Sequence, residues 1–163
     1  MTHSPAIWFA WLESSALAHA MRQWLWLYPA VEIAHTAGIA MLVGAAAMFD
    51  LRLLGLSSGI PVAALARHLL PWARTGLGVM ALTGTLMFTA HATEFGASPV
   101  FRLKLALIAA GCLNAAIFHR WPFRAVTGWD VGAATPPAAK AAAVASLMLW
   151  TSAIACGRLL AYF

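Results

Sequence analysis

His35, His68, His91 and His119 fall near the ends of apolar segments, at heights that pair His35 with His91 near one membrane face (side A) and His68 with His119 near the other (side B). Two facing imidazoles at matching depth hold a flat haem iron from both sides, and bis-histidine ligation suits a b-type haem that shuttles electrons with little reorganisation. Ionisable groups at membrane depth are costly, so each is a functional candidate by default. His35 is the deepest, about two turns into its span at 1.5 Å rise per residue. His68 and His91 are 23 residues apart in one span, which at roughly 100° per residue turns them about 140° from each other. Two separate sites, and so one or two haems, require that divergence.

The surrounding residues fit the same chemistry. Propionates want cations near the interface: Arg102 and Lys104 on side A, and Arg52, Arg74 or Arg120 on side B. Glu32, three residues before His35, is placed to orient that imidazole or relay a proton. Gly38, Gly44, Gly76, Gly78, Gly84 and Gly111 thin the backbone where a ring slides between helices. A plainer account stands beside each of these. Small residues at helical spacing are ordinary membrane packing, basic residues snorkel to headgroups, and His68 and His91 lie close enough to the boundary to be solvated helix ends.

The elements that must carry these residues follow from composition. Of 163 residues, 63% are hydrophobic and 9% charged, with a mean hydropathy of +0.81, too little polar surface to coat a soluble globule. A spanning helix needs roughly 20 mostly apolar residues, and four spans are expected over 28–55, 66–91, 100–119 and 140–161. The apolar runs are continuous and rich in Ala, Leu and Gly, which excludes alternating strands. The expected fold is all-α, an integral-membrane four-helix bundle running up-down-up-down through short loops, forming a single transmembrane domain over 1–163.

Residues 5–23 read as an amphipathic interfacial helix rather than a cleaved signal, with Ser4 and Pro5 at its start and Trp8, Trp11, Leu12, Ala16 and Ala20 on one face. Trp24, Trp26 and Tyr28 then form an aromatic anchor. Turns are expected at 56–61 and 94–99, and the longest connection, 120–137, carries an interfacial piece. Side A holds Arg22, Arg102, Lys104 and Arg158; side B holds Arg52, Arg67, Arg74, Arg120, Arg124 and Lys140. That excess puts side B in the cytoplasm and both termini in the periplasm of a bacterial inner membrane. The +5 charge is headgroup anchoring, and nothing suggests nucleic-acid binding. Cys112 and Cys156 read as small hydrophobes without a disulfide, the methionines as core filler or a soft-metal path, and Asp50 with Arg52 as a polar anchor ending the first span.

The run Tyr28-Pro29-x-x-Glu32-x-x-His35, Asp50-Leu51-Arg52-Leu53-Leu54-Gly55, Leu70-Pro71-Trp72, Phe101-x-x-Lys104, Asn114 with Phe118-His119, Trp129-Asp130 and Gly157-Arg158-Leu159-x-Ala161-Tyr162 resembles an uncharacterised family of small four-span bacterial inner-membrane proteins. The resemblance covers nearly the whole chain and implies fold and location, not activity. It places His35 and His119, but not His68 and His91, at the pattern's histidine positions. More loosely, the layout is similar to bacterial cytochrome b561-type haem proteins.

These readings converge on a membrane b-type cytochrome passing electrons to or from a quinone or a periplasmic redox protein, with a homodimer allowed. Two alternatives belong to other classes: a metal-ion or small-solute transporter using Glu32, His35 and the methionines, and an accessory subunit without a cofactor. No nucleotide loop, catalytic triad or flavin fingerprint points to a self-contained enzyme.

Overall fold

The computed structural model describes residues 5–160 and 162, and every described element is helical. His3 and Ser4, and with Ser4 the expected first cap, lie outside the described residues. In chain order the helices are α1 (Pro5–Glu13), α2 (Ala16–Gln23), α3 (Leu27–Leu53), α4 (Val62–Ala90), α5 (Ala92–Ala97), α6 (Pro99–Arg120) and α7 (Pro137–Leu159), with a 3-10 segment at Pro122–Gly128 before α7. Three of them, α3, α6 and α7, are long and apolar enough to cross a bilayer, with mean hydropathy of 1.5, 1.7 and 1.5 over their best stretch. The chain is thus a helical membrane protein by length and composition. α4 has the length, at 29 residues, but Arg67, His68 and Arg74 in its first half and Thr83, Thr85 and Thr89 in its second dilute its apolar character.

Local chemistry explains the boundaries. The single interfacial helix expected over 5–23 is two helices, because Ser14 turns its hydroxyl back onto the Trp11 carbonyl (2.8 Å) and Ser15 caps α2 by accepting from the Ala18 amide. Local side-chain bonds of this kind compete with helix continuation. α3 ends in a paired C-terminal motif: Gly55, at φ +113°, lets its own amide reach the Arg52 carbonyl (3.1 Å) and the Leu56 amide reach that of Leu51 (3.0 Å). Only glycine takes that φ without strain. Ser98 caps α6 by accepting from the Phe101 amide, with Pro99 at the first helical position. The turn expected at 94–99 is mostly the short helix α5.

α3 packs along α4, α7 packs along both α3 and α6, and α4 makes no backbone contact with α6. The α3–α4 seam is the tightest. A Cβ on Gly76 would lie 2.6 Å from the Leu42 nitrogen and 2.7 Å from the Gly38 oxygen, so the two backbones touch where both side chains are missing. At the far end of α3, Arg52 is 5% exposed and donates to three carbonyls: Ile60 through Nε (2.6 Å), and Ser58 (2.9 Å) and Asp130 (3.1 Å) through Nη2. Asp130 in turn accepts from the Ala63 amide at 2.7 Å and the Val62 amide at 3.3 Å, capping α4 from across the bundle.

On the opposite face the α1–α2 pair is lashed to the end of α4. Arg22 donates to the Ala90 carbonyl and to that of Glu13, both at 2.8 Å, and the Glu13 carboxylate accepts from the backbone amide (3.1 Å) and hydroxyl of Thr93. Those bonds, the Thr93 hydroxyl first, hold the Glu13 carboxyl below its ordinary range, with Arg22 adding to the effect. A depressed carboxyl contributes stability that is present above its unfolded value and lost as pH falls through the folded one. Trp8, Trp11, Trp24, Leu25 and Trp26 stay exposed around this latch, as an interfacial strap requires.

Two outcomes follow. Gly76→Ala costs about 1–3 kcal/mol through overpacking, read as a lower melting temperature, whereas Gly78→Ala, with open space at its Cβ, leaves melting unchanged; equal effects would remove the seam from the argument. Amide protection across 8–23, taken relative to the intrinsic exchange rate at each pH, falls as pH is lowered below the ordinary carboxylate range, and Glu13→Gln shows that lower protection already at neutral pH.

Candidate functional site

The expected histidine pairs are resolved into separate environments. His35, half-buried on α3, faces α4: its Nδ1 is 2.9 Å from Thr83 Oγ1, and a Cβ on Gly84 would lie 3.1 Å from its Cε1. Gly84 therefore makes room for the imidazole. The Thr83 hydroxyl lies 2.6 Å from the Val79 carbonyl and spends its proton there, so Thr83 accepts from His35 Nδ1–H and leaves Nε2 with its lone pair. The Met80 backbone also bonds the ring. Lys104 and Glu32 lie within electrostatic range of the ring. Lys104, half-buried, packs on α7 where Gly157 lacks a side chain, its Nζ 3.4 Å from the position of a Cβ.

His91 sits where α4 ends, seven residues or about 10 Å of helical rise past Gly84. Its ring meets Tyr28 edge-on (centroids 6.0 Å) and Phe95 (5.9 Å), and its Nδ1 lies 3.9 Å from Glu94. The matching depth expected for His35 and His91 is therefore not found. The cause is geometric: α3 and α4 run antiparallel from the Gly38–Gly76 contact, which puts Tyr28, not His35, opposite His91.

The second expected pair is also parted. His119 lines a cleft of about 360 Å³ between α3, α4, α6 and α7, while His68 is exposed on α4 and is not in the lining. Arg74 does reach that cleft. Arg52 does not; the guanidinium expected at a propionate is spent on the loop carbonyls described above. Arg102 is exposed near the start of α6. Among the described residues no three His, Cys, Asp or Glu side chains group to hold a metal ion.

The cleft holds residues that sequence reasoning passed over. Asp50, expected to end the first span with Arg52 or to join an ion pair between helices, is 6% exposed and makes no ion pair with Arg52, because the helix turn points the two side chains at different neighbours. Asn114 donates to the Ala142 carbonyl at 2.9 Å, tying α6 to α7, and Ser146 lines the same wall. The signal available in the sequence was polarity inside apolar runs, at 50, 114 and 146, which gains meaning once the three share a face.

A family model described as a family of unknown function, DUF6644, matches residues 8–163, and the chain belongs to that family. No curated protein and no solved structure matches it.

Removing the guanidinium by Arg52→Ala leaves buried carbonyls unpaired and costs about 3 kcal/mol, read as a fall in thermal stability without loss of membrane insertion. A variant as stable as wild type would return Arg52 to the surface-anchoring role.

Proposed function

We propose that this member of a family of unknown function is a bacterial inner-membrane electron-transfer protein that binds haem b through His35, with α4 as its fourth span. The observation that supports it is the hydrogen bond from His35 to Thr83. Metal-binding histidines characteristically donate their second ring nitrogen to an oxygen acceptor, which fixes the tautomer and raises the basicity of the free nitrogen. His35 has that arrangement within an apolar span, where an imidazole without a role is expensive.

The residues present fit the group in three respects. Nε2 of His35 is free to coordinate iron, Gly84 clears the space under the ring, and Lys104 offers a cation for a propionate. Haem supplies one-electron chemistry when bound; the chain's residues orient the ligand and keep it among apolar side chains. Thr83 fixes the imidazole's tautomer, and Glu32, exposed one turn earlier on α3, lies where a proton can be exchanged with side A. A quinone or a periplasmic redox protein is the exchange partner this placement suits. One haem on side A replaces the symmetrical pair of sites, since the cleft at His119 offers no second imidazole.

The test is the visible spectrum of the purified protein, oxidised and reduced, with haem quantified against protein. The expected result is about one haem per chain, lost in His35→Ala and kept in His19→Ala. Thr83→Val keeps the protein folded but weakens haem retention about 10- to 100-fold, the usual effect of deleting a partner behind the ligand. A colourless wild-type protein expressed with ample haem would overturn the proposal.

A further inference from the structure

The cleft between α3, α4, α6 and α7 has a chemistry of its own, independent of the haem reading. All four long helices contribute lining, and α4 and α6, bridged by the stacked rings of Phe88 and Phe101, make no backbone contact that would close it. Its volume, about 360 Å³, lies within the range of small-molecule sites. Most of the wall is apolar, with Leu42, Leu77, Phe49 and Trp150 among its members.

Two polar atoms in this lining have no partner among the described residues. Asp50 Oδ2 and His119 Nε2 are both enclosed and unbonded, although the Asp50 carboxyl has one side-chain partner, the Ser146 hydroxyl. Buried polar atoms are almost always paired, because leaving them bare forfeits the hydrogen bonds they had in water. The other nitrogen fixes the tautomer of His119: Nδ1 lies 2.7 Å from the Ala115 carbonyl, which only accepts, so Nδ1 donates and in the neutral ring Nε2 presents a lone pair. Asp50 presents a lone pair when ionised and an O–H when protonated. A ligand that pairs both atoms must therefore donate to His119 and either donate to Asp50 or accept from it.

A hydroxyl meets both demands with Asp50 protonated: its one O–H donates to His119 Nε2 and its oxygen accepts from the carboxylic acid. At this pair an inorganic anion would face two acceptors, even with Arg74 elsewhere on the wall, and the donor set lacks a third ligand for a metal ion. The aromatic members of the wall suit a flat apolar body, and the gap between α4 and α6 suits entry from the bilayer. We propose that this cleft binds a membrane-soluble phenol, its ring between the apolar walls and its hydroxyl shared by His119 and Asp50.

Scintillation-proximity binding of tritiated para-octylphenol to the detergent-purified full chain tests it. Saturable binding is expected, displaced by unlabelled para-octylphenol and at least about tenfold less well by its methyl ether, para-octylanisole, which cannot donate. Asp50→Leu and His119→Phe each weaken binding by about tenfold or more. Because either change risks the fold, Ala116→Phe serves as a second approach: Ala116 lines the cleft with an exposed side chain, and the phenyl group blocks entry without touching the polar pair. Helix content and monodispersity are checked for each variant. No saturable binding by the wild type, equal competition by the ether, or binding that survives Ala116→Phe would overturn the proposal. A colourless protein that binds the phenol sinks only the haem reading, and a pigmented one that does not bind it sinks only this one.

Discussion

The close approach of α3 and α4 at Gly38 and Gly76 is the contact on which the rest of the molecule depends. In lipid the tails are as apolar as leucine, so helices associate through van der Waals contact and polar bonds rather than through escape from water. Contact without side chains maximises the first of these. Once the two backbones touch there, antiparallel geometry sets every other register along the seam: His35 comes to lie beside Thr83 and Gly84, and Tyr28 beside His91. The same contact commits α4 to α3, which leaves α6 to α7 and opens the cleft between the two pairs.

The ends of the bundle are held by charge rather than by small residues. Arg52 and Asp130 join the α3–α4 turn to the segment entering α7 almost entirely through backbone carbonyls and amides. Charge-assisted bonds of this kind are about twice as strong as neutral ones, and a guanidinium that donates to three carbonyls is cheaper to bury than a bare one. On the opposite face Arg22 and Glu13 do the corresponding work for the N-terminal strap. Polar residues at the bundle ends are therefore mostly structural, and the unspent ones, His35 on one half and Asp50 with His119 on the other, stand out by contrast.

Much of the fold was legible in the sequence. Long apolar runs and turn-forming residues act over a few positions, so reading them needs no knowledge of what lies across the bundle. The break at Ser14–Ser15 was missed because two serines inside an amphipathic pattern are compatible with either a continuous helix or a cap. The weaker apolar character of α4 was diluted in a whole-span count by the leucines at either end.

The site divides along the same line. Residue type alone determined that His35 is costly at its depth, that Arg and Lys gather at the faces and that the chain is a helical membrane protein, because each is a matter of one residue's transfer from water or of helical period. Tertiary structure alone decided which residues meet. Depth counted along single helices paired His35 with His91 and His68 with His119, but depth omits rotation about the axis and the offset between neighbours, and both are set by where glycine lets backbones touch. Arg52 became a clamp, and Asp50, Asn114, Ser146 and His119 came to share one cleft, because packing turned those faces inward, and no spacing along one chain encodes which helix will be opposite.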